Sequence, residues 1–273
     1  LAVTREGLPV RSWVLPRNTP DVTTVERVKA DLKGWKLGRC VFVGDAGMNS
    51  EDNRRTLALG GGKYILASKM RAGDEVTKEV LTRAGRYQRV KSNLRVKEVD
   101  VGDGERRQRY VVCYNPDEAR RQKEHRAKLI KLLEQELSNL SAPAAGKGHS
   151  KRTCELIASE RFGRYLRRTQ RGALRVDRAA ARREARYDGK WVITTNDDTL
   201  TGEDLALGYK QLMRVEECWR SMKLGLRMRP VYHWAPHRIE AHVKLCVLAL
   251  LLERVAEIRA GDTWRNLVAQ FDT

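Results

Sequence analysis

The sequence has 273 residues and a net charge of +19, with 54 Lys and Arg against 35 Asp and Glu. This length supports a large core without disulfide bonds, and a hydrophobic content of 41% excludes a wholly disordered chain. The longest apolar run, residues 245–252, is too short to cross a bilayer, and the first residues lack a signal-peptide layout. We therefore expect a cytoplasmic protein with no membrane partner.

The first part of the sequence alternates helix and strand patterns. The predicted elements are strands at 1–4, 10–15, 40–43 and 64–67 and helices at 23–33 and 51–59. The run at 40–43 is wholly apolar, which is typical of a strand buried on both faces, and Asp45 follows it. The alternation indicates an α/β fold.

The middle part, residues 68–195, follows a different pattern. It contains predicted strands at 94–101, 109–114 and 190–195 and a helix that is capped by Asn115 and runs to residue 140. Trp191 begins the last of these strands. We expect its indole to pack in the core of this part, although an exposed indole that stacks on a base is the alternative.

A basic tract between residues 161 and 186 contains ten Arg but only two acidic residues. With Phe162, Tyr165 and Tyr187 among the arginines, the tract can contact phosphates and stack on bases. The alternative is a solvated helix face, which charge patterns of this kind often mark.

The last part is predicted to be helical. One helix is expected at 203–223 with Thr201 as its cap, and a second begins at Pro236, whose apolar stretch at 245–252 we expect to be buried. In the first helix, Tyr209, Glu216 and Lys223 are spaced seven residues apart, about 700° per step, so they would share one face.

Two readings of this stripe remain open. Glu216 can ligate a metal ion while Lys223 contacts a phosphate, or Glu216 can simply pair with Arg220 on the surface. Asp45 is similarly ambiguous, because an Asp after a strand is usually a turn former, yet ligands bind at the carboxyl ends of parallel strands. Together, the two acids and the basic body predict a metal site that acts on phosphodiesters.

Four segments carry a family resemblance: residues 41–48, residues 62–67, the stretch from Tyr209 through Glu216 to Lys223, and residues 226–233. They resemble the DDE transposases of bacterial insertion sequences. The closer likeness is to the subgroup with a long insertion before the catalytic Glu and a Tyr-Arg-Glu-Lys signature around that Glu.

The resemblance implies a ribonuclease-H-like core that is interrupted by an insertion lobe. Residues 1–67 would form the first part of the core, 68–195 the lobe of strands and helix, and 196–273 the helical part that carries the Glu. In the family, two Asp and one Glu hold two Mg²⁺ or Mn²⁺ ions for cleavage and strand transfer at element ends. Asp45 matches the second Asp, and Glu216 matches the Glu.

The expected partners are double-stranded DNA, both element ends and target, and a second copy of the chain in a synaptic complex. Such a protein would lie in the bacterial cytoplasm, on nucleoid DNA. The candidate DNA contacts are Tyr209, Lys223, Arg214, Arg220, Arg164, Arg167 and Arg168.

The sequence departs from the family pattern in three ways. The residue after the second Asp is often Arg in the family and is Ala46 here. The Arg of the signature is replaced by Leu212, so a neighbour such as Arg214 would have to supply that phosphate contact. The strand with the first catalytic Asp is expected upstream of Leu1, and Asp21 and Asp31 are poor substitutes because one precedes a helix and the other lies within it. We therefore expect this chain to be inactive alone; the alternative is a non-catalytic DNA-binding remnant.

Overall fold

The computed structural model describes residues 1–16, 18–35, 40–71, 76–140, 151–170 and 172–271. Its strands and helices, in chain order, are β1 (Ala2–Val3), β2 (Pro9–Arg11), α1 (Val25–Lys33), β3 (Val41–Gly44), α2 (Glu51–Ala58), β4 (Lys63–Ser68), β5 (Gln88–Lys91), β6 (Leu94–Val101), β7 (Gln108–Tyr114), α3 (Pro116–Leu140), α4 (Lys151–Ala158), β8 (Leu166–Arg168), β9 (Leu174–Val176), α5 (Arg178–Ala185), β10 (Lys190–Thr195), α6 (Gly202–Lys210), α7 (Leu212–Leu224), α8 (Pro236–Ala260) and α9 (Trp264–Phe271). The chain divides into two compact units, Leu1–Ser68 with Thr194–Thr273, and Lys69–Ile193.

Six strands form one mixed sheet in the order β3-β4-β10-β7-β6-β5. Strands β3 and β4 are parallel, whereas β5, β6 and β7 are antiparallel neighbours. Helix α6 packs against β3 and β4. The mixed sheet with flanking helices confirms the α/β prediction and is consistent with a ribonuclease-H-like fold. No described helix has both the length and the apolar character that a membrane span requires.

The core around β4 forms from two helices that pack on the parallel strands. Val25 of α1 and Leu57 of α2 are buried against Tyr64 and Leu66 of β4. Val41 to Val43 are only half-buried, so the expectation that this strand is buried on both faces is wrong. The reason is topological, because β3 lies at the edge of the sheet.

The helix predicted over 203–223 is interrupted at Gln211, which separates α6 from α7. The Gln211 amide donates to the Gly208 carbonyl, three residues earlier, at 3.0 Å. This spacing makes a tighter turn than the four-residue spacing of an α-helix. Gly208 packs closely on β4, since a Cβ there would lie 3.2 Å from Ile65 Cδ1. Thr201 caps α6 as predicted and forms a capping box with Asp204.

Helices α7 and α8 share a buried cluster of Cys218, Met222, Met228, Cys246 and Leu250. The expectation that residues 245–252 are buried all round is only partly right. Leu245, Leu248 and Leu252 are 65%, 52% and 64% exposed. Only the face of α8 with Cys246, Leu250 and Glu253 is buried, so the rest of its apolar surface faces outward.

In the second unit, the strands and helix predicted between residues 94 and 140 form within one residue of their expected bounds. Asn115 Oδ1 accepts hydrogen bonds from the backbone amides of Asp117 and Glu118, at 3.0 and 3.2 Å, and so caps α3 as expected. The largely buried guanidinium of Arg126 on α3 makes a bidentate pair with Asp188, with both N–O distances 2.5 Å. This pair ties α3 to the turn before β10.

The basic tract is not a single solvated helix face. It folds as the β8–β9 hairpin followed by α5, and the Thr169 amide closes the hairpin by donating to the Ala173 carbonyl at 2.8 Å. Asp177 caps α5 by accepting a hydrogen bond from the Ala180 amide at 2.9 Å.

Candidate functional site

Asp45 lies directly after β3, and its side chain is exposed. Its Oδ1 accepts hydrogen bonds from the backbone amides of Gly47 at 2.9 Å and Met48 at 3.2 Å. One carboxylate oxygen therefore shapes the turn between β3 and α2. This is the turn-forming role considered for Asp45, and it fixes the orientation of the carboxylate at the carboxyl end of the strand.

A second acidic side chain, Asp21, lies beside Asp45. A Cβ built on Gly47 would lie 3.2 Å from Asp45 Oδ1 and 3.3 Å from Asp21 Oδ2. The two oxygens are thus no further apart than the sum of these distances. In the sequence, Asp21 is a turn residue before α1 and a poor substitute for the first catalytic Asp, and no local pattern marks its proximity to Asp45.

Glu216 is exposed on α7, in the same unit as Asp45. The surface pairing with Arg220 does not form, and within the described ranges Glu216 makes no ion pair. Lys223, seven residues later on α7, is also exposed. Cys218 and Met222 are fully buried on the other side of this helix and fix its rotation. Glu216 and Lys223 therefore share the outer face of α7.

Tyr209 lies on α6, before the interruption at Gln211, whereas Glu216 and Lys223 lie on α7. Arg214, the expected replacement for the missing signature Arg, pairs with Glu217 at 2.9 Å. The stem of Arg214 also lies near Gly7, whose built Cβ would be 3.8 Å from Arg214 Cδ. Of the three residues in the predicted stripe, α7 carries Glu216 and Lys223 and α6 carries Tyr209, and their shared role stays a prediction.

The candidate arginines of the second unit line different surfaces. Arg164 lies in a small cleft with Arg71 and Glu184, and its Nη1 is 3.7 Å from a Glu184 oxygen. Arg167 lines a larger groove of about 850 Å³ between the end of α3, the β8–β9 hairpin and α5. The other arginines of this groove are Arg175, Arg178 and Arg182. Arg168 is exposed on β8.

The rings interleaved with these arginines have a structural role. Tyr165 is only 6% exposed and packs with Leu129 and Leu133 of α3, while Phe162 adds to the same cluster. The Tyr187 ring lies under the Arg71 guanidinium, with the ring centroid 5.0 Å from Arg71 Cζ. The prediction that Tyr165 stacks on bases is therefore wrong, because its ring holds the hairpin on α3.

Trp191 is half-buried at the start of β10, and its indole Nε1 is buried without a hydrogen-bond partner in the described part of the chain. The four residues after it on β10 are all buried, so both faces of the strand are covered. Trp191 thus packs into the sheet, as expected, although part of its ring is exposed.

Carboxylate oxygens are the ligands that hard divalent cations prefer, and Asp45 with Asp21 supplies two such groups side by side. In the ranges that the structure describes, no group of three or more His, Cys, Asp or Glu side chains is arranged to hold a metal ion.

No match was found among curated proteins or among solved structures. A family model, described as the transposase DDE domain, matches residues 1–252, which run from the start of the chain into α8. The matched segment includes Asp45 after β3 and Glu216 on α7, and it extends over both units. The chain therefore belongs to the transposase DDE domain family.

Proposed function

We propose that this chain is the catalytic portion of an insertion-sequence transposase that cuts DNA at element ends and joins it to target DNA. The family match carries this proposal. It is supported by Asp45 at the carboxyl end of β3 and by Glu216, whose carboxylate is exposed on α7 in the same unit. In this proposal, residues 1–67 and 196–273 are the catalytic core and residues 68–195 are the insertion lobe.

Transposases of this kind use divalent metal ions, and we assign Asp45 and Glu216 as ligands of Mg²⁺ or Mn²⁺, with two ions in the active enzyme. Bound ions of this kind neutralise charge on the attacking and leaving oxygens of a phosphodiester. The backbone amides of Gly47 and Met48 hold the Asp45 carboxylate in one orientation, which lowers the cost of ordering it on binding.

The DNA contacts are assigned to cations that the fold leaves accessible. Lys223 is exposed on the same helix face as Glu216, so it can hold a phosphate near the cleaved bond. Arg220 and Tyr209 are assigned as further contacts, and Arg214 contributes through the part of its guanidinium that Glu217 leaves open. In the insertion lobe, Arg164, Arg167 and Arg168 bind phosphates outside the catalytic core.

We also propose that the chain acts as a homodimer, in a synaptic complex on DNA in the bacterial cytoplasm. The outer face of α8 supports this: Leu245, Leu248, Leu252 and Val255 follow the 3-4-3 spacing of a coiled-coil seam and are 40% or more exposed. A seam of this spacing fits another helix better than a small molecule, and an equivalent α8 from a second copy provides one.

The experiment is a cleavage assay on DNA carrying the cognate element ends, with Mg²⁺ or Mn²⁺. It compares residues 1–273 with a longer protein translated from further upstream in the same gene. Metal-dependent cleavage by the longer protein, lost on Glu216→Gln, supports the proposal. Binding to DNA without cleavage by either protein would favour the alternative, a non-catalytic DNA-binding remnant.

A further inference from the structure

The segment between α7 and α8, residues 225–235, carries two strongly exposed aromatic side chains. Trp234 is 96% exposed and Tyr232 is 80% exposed, more than any other large hydrophobic side chain in the described ranges. Large aromatic side chains are normally well buried, because each ring removes a large apolar area from water. Two such rings exposed to solvent, two residues apart, indicate a binding surface.

This segment is held in place by the protein core, so its exposure does not come from a fraying end. The Met228 side chain is 5% exposed and belongs to the cluster shared by α7 and α8. The Met228 amide donates to the Met222 carbonyl at 3.0 Å, and His242 of α8 lies 3.3 Å from the Met228 carbonyl. The His233 ring, between Tyr232 and Trp234, also lies edge-on to the His242 ring of α8, with the ring centroids 5.6 Å apart. Because the segment is anchored on both sides of Tyr232, binding a ligand on the rings costs little ordering entropy.

The anchoring bonds also bring the segment back to the last turn of α7. The Leu226 amide donates to the Ser221 carbonyl at 3.1 Å, one helical turn before the end of α7. Lys223 lies in that same turn and is exposed. The aromatic segment therefore adjoins the helix end at which a phosphate contact is proposed.

The charged Lys and Arg side chains along the chain on either side of the rings have no acidic neighbours in the sequence. The sequence contains no Asp or Glu between Glu217 and Glu240, whereas it contains five cations there. These are Arg220, Lys223, Arg227, Arg229 and Arg238. All five are exposed, and none forms an ion pair with a described residue. Glu240, the acid that follows, is paired with Lys244 at 2.8 Å.

Exposed rings among unpaired cations match single-stranded nucleic acid, in which phosphates bind the cations and bases stack on the rings. In an intact duplex, the base faces are already stacked and are hidden from such rings. The outer face of α8 differs from the aromatic segment because it is apolar, and it therefore fits a helix of another protein chain. The aromatic segment combines charge with ring faces, so we assign it a nucleic-acid partner.

We propose that Tyr232 and Trp234 form a stacking platform for unpaired DNA bases beside the phosphate contact of Lys223. This inference rests on the proposed DNA-processing function, and it adds a base-binding surface to it. Unpaired bases arise wherever an element end is opened or cut, so the platform would bind the DNA strand next to the cleavage point.

The test measures the affinity of residues 1–273 for an oligothymidylate, for an abasic oligonucleotide of the same length, and for a duplex. Trp234→Ala is expected to weaken oligothymidylate binding by about tenfold, the loss of one stacked base. Affinity for the duplex and for the abasic strand should change by less than about twofold, because the cations remain. Trp234→Phe should keep most of the oligothymidylate affinity, and Tyr232→Ala should repeat the loss.

The matched control is Trp264→Ala, which removes another partly exposed indole, on α9. It should leave all three affinities unchanged. Since Trp234 is almost wholly exposed, its substitution should leave the fold intact, which circular dichroism verifies. Intrinsic fluorescence gives a second readout: oligothymidylate should quench the wild-type protein more than Trp234→Phe.

Other outcomes overturn the inference in separable ways. An equal loss for all three DNA probes, or no loss at all, would remove the stacking role while leaving DNA binding in place. If Trp234→Ala instead released the protein from anionic lipid vesicles or changed its sedimentation coefficient, the rings would serve a membrane or subunit contact. Failure of the wild-type chain to bind any DNA probe would overturn both this inference and the proposed function.

Discussion

Arg167 and Arg175 lie directly opposite each other in the β8–β9 hairpin, both exposed and both on the wall of the same groove. Like charges at directly opposed positions destabilise a strand pair. The two guanidinium groups therefore repel each other, and the Asp177 carboxylate, which also interacts with Arg167, offsets part of this repulsion. A bound phosphate would relieve the rest.

Arg167→Gln should raise the free energy of unfolding by about 0.5 kcal/mol at low salt, because the repulsion is lost. The gain should disappear at high salt, where the two charges are screened. The same variant should weaken duplex DNA binding and reduce the slope of log affinity against log salt by about 1. Urea unfolding and fluorescence anisotropy measure the two effects.

The control for this variant is Arg86→Gln, which neutralises an exposed arginine of the same unit that does not line the groove. It should alter neither the stability at low salt nor the salt slope beyond error. If Arg167→Gln left the DNA affinity and its salt slope unchanged, the basic tract would be only a solvated surface.

The carboxylates assigned to catalysis give a separate prediction. Asp45→Asn and Glu216→Gln, in a protein that cleaves element ends, should each lower the cleavage rate by at least about a hundredfold, since a metal site supplies several kcal/mol to the barrier. DNA affinity should change by less than about threefold, because binding depends on Lys and Arg. A rate within tenfold of wild type for either variant would contradict the assignment.

Divalent cations should stabilise the fold through the acidic pair. At a Mn²⁺ concentration about tenfold above its Kd, the melting temperature should rise by about 3 °C, from about 1.4 kcal/mol of linked binding. Asp45→Asn and Asp21→Asn should each reduce that rise. Asp52→Asn, an exposed acid in the first turn of α2, is the control and should retain it. An unchanged rise in Asp45→Asn would place the cation elsewhere.

Glu253 is buried on the inner face of α8, and this burial, followed by the nearby charge of Glu257, raises the pKa of its carboxyl. The folded state therefore binds a proton more readily than the unfolded state, so stability falls as pH rises through the folded-state pKa. Glu253→Gln should raise the melting temperature at pH 7 by about 2–4 °C. The gain should vanish below the unfolded-state pKa of about 4.3.

Glu257→Gln is the matched comparison one turn later on α8. Glu257 accepts hydrogen bonds from Arg254 Nη1 and from the Trp264 amide, both at 2.8 Å, so this variant should lower the melting temperature at pH 7. Scanning calorimetry across pH separates the two. If Glu253→Gln and Glu257→Gln changed the melting temperature equally at pH 7, the opposite effects expected of the two carboxylates would be contradicted.

The outer face of α8 predicts the oligomeric state. Leu248→Glu and Leu252→Glu should each weaken self-association by about tenfold or more, because a carboxylate would be buried in an apolar seam. Sedimentation velocity over a concentration series measures this. Leu59→Glu, at an exposed leucine after α2, should have no effect. A wild-type chain that stays monomeric at all concentrations would exclude this seam.

Strong local signals predicted much of the fold. Strand β6 follows a clear alternation of buried and exposed residues, and α3 begins with Asn115 as cap and Pro116 at its first position, so both were located from the sequence. Asp45 after β3 and Glu216 on the later helix were selected for similar local reasons. Their roles in catalysis stay predictions.

The features that the sequence analysis missed depend on contacts between distant segments. Asp21 and Asp45 meet because α1 and α2 pack together, and no spacing along the chain encodes that proximity. The interruption at Gln211 lies three residues after Gly208, which packs closely on β4, and no spacing along the chain marks it. Apolar residues on every side of α8 predict burial, but burial also requires a neighbour on each side, and composition does not report how many neighbours a helix has.

The edge position of β3 has a consequence for how this chain can combine with others. An edge strand presents a row of backbone amides and carbonyls that can accept another strand by main-chain hydrogen bonding. Such strand addition needs no rearrangement of the sheet and little side-chain specificity. Among the described strands, the free edge of β3 therefore allows the sheet beside Asp45 to be extended by one further strand.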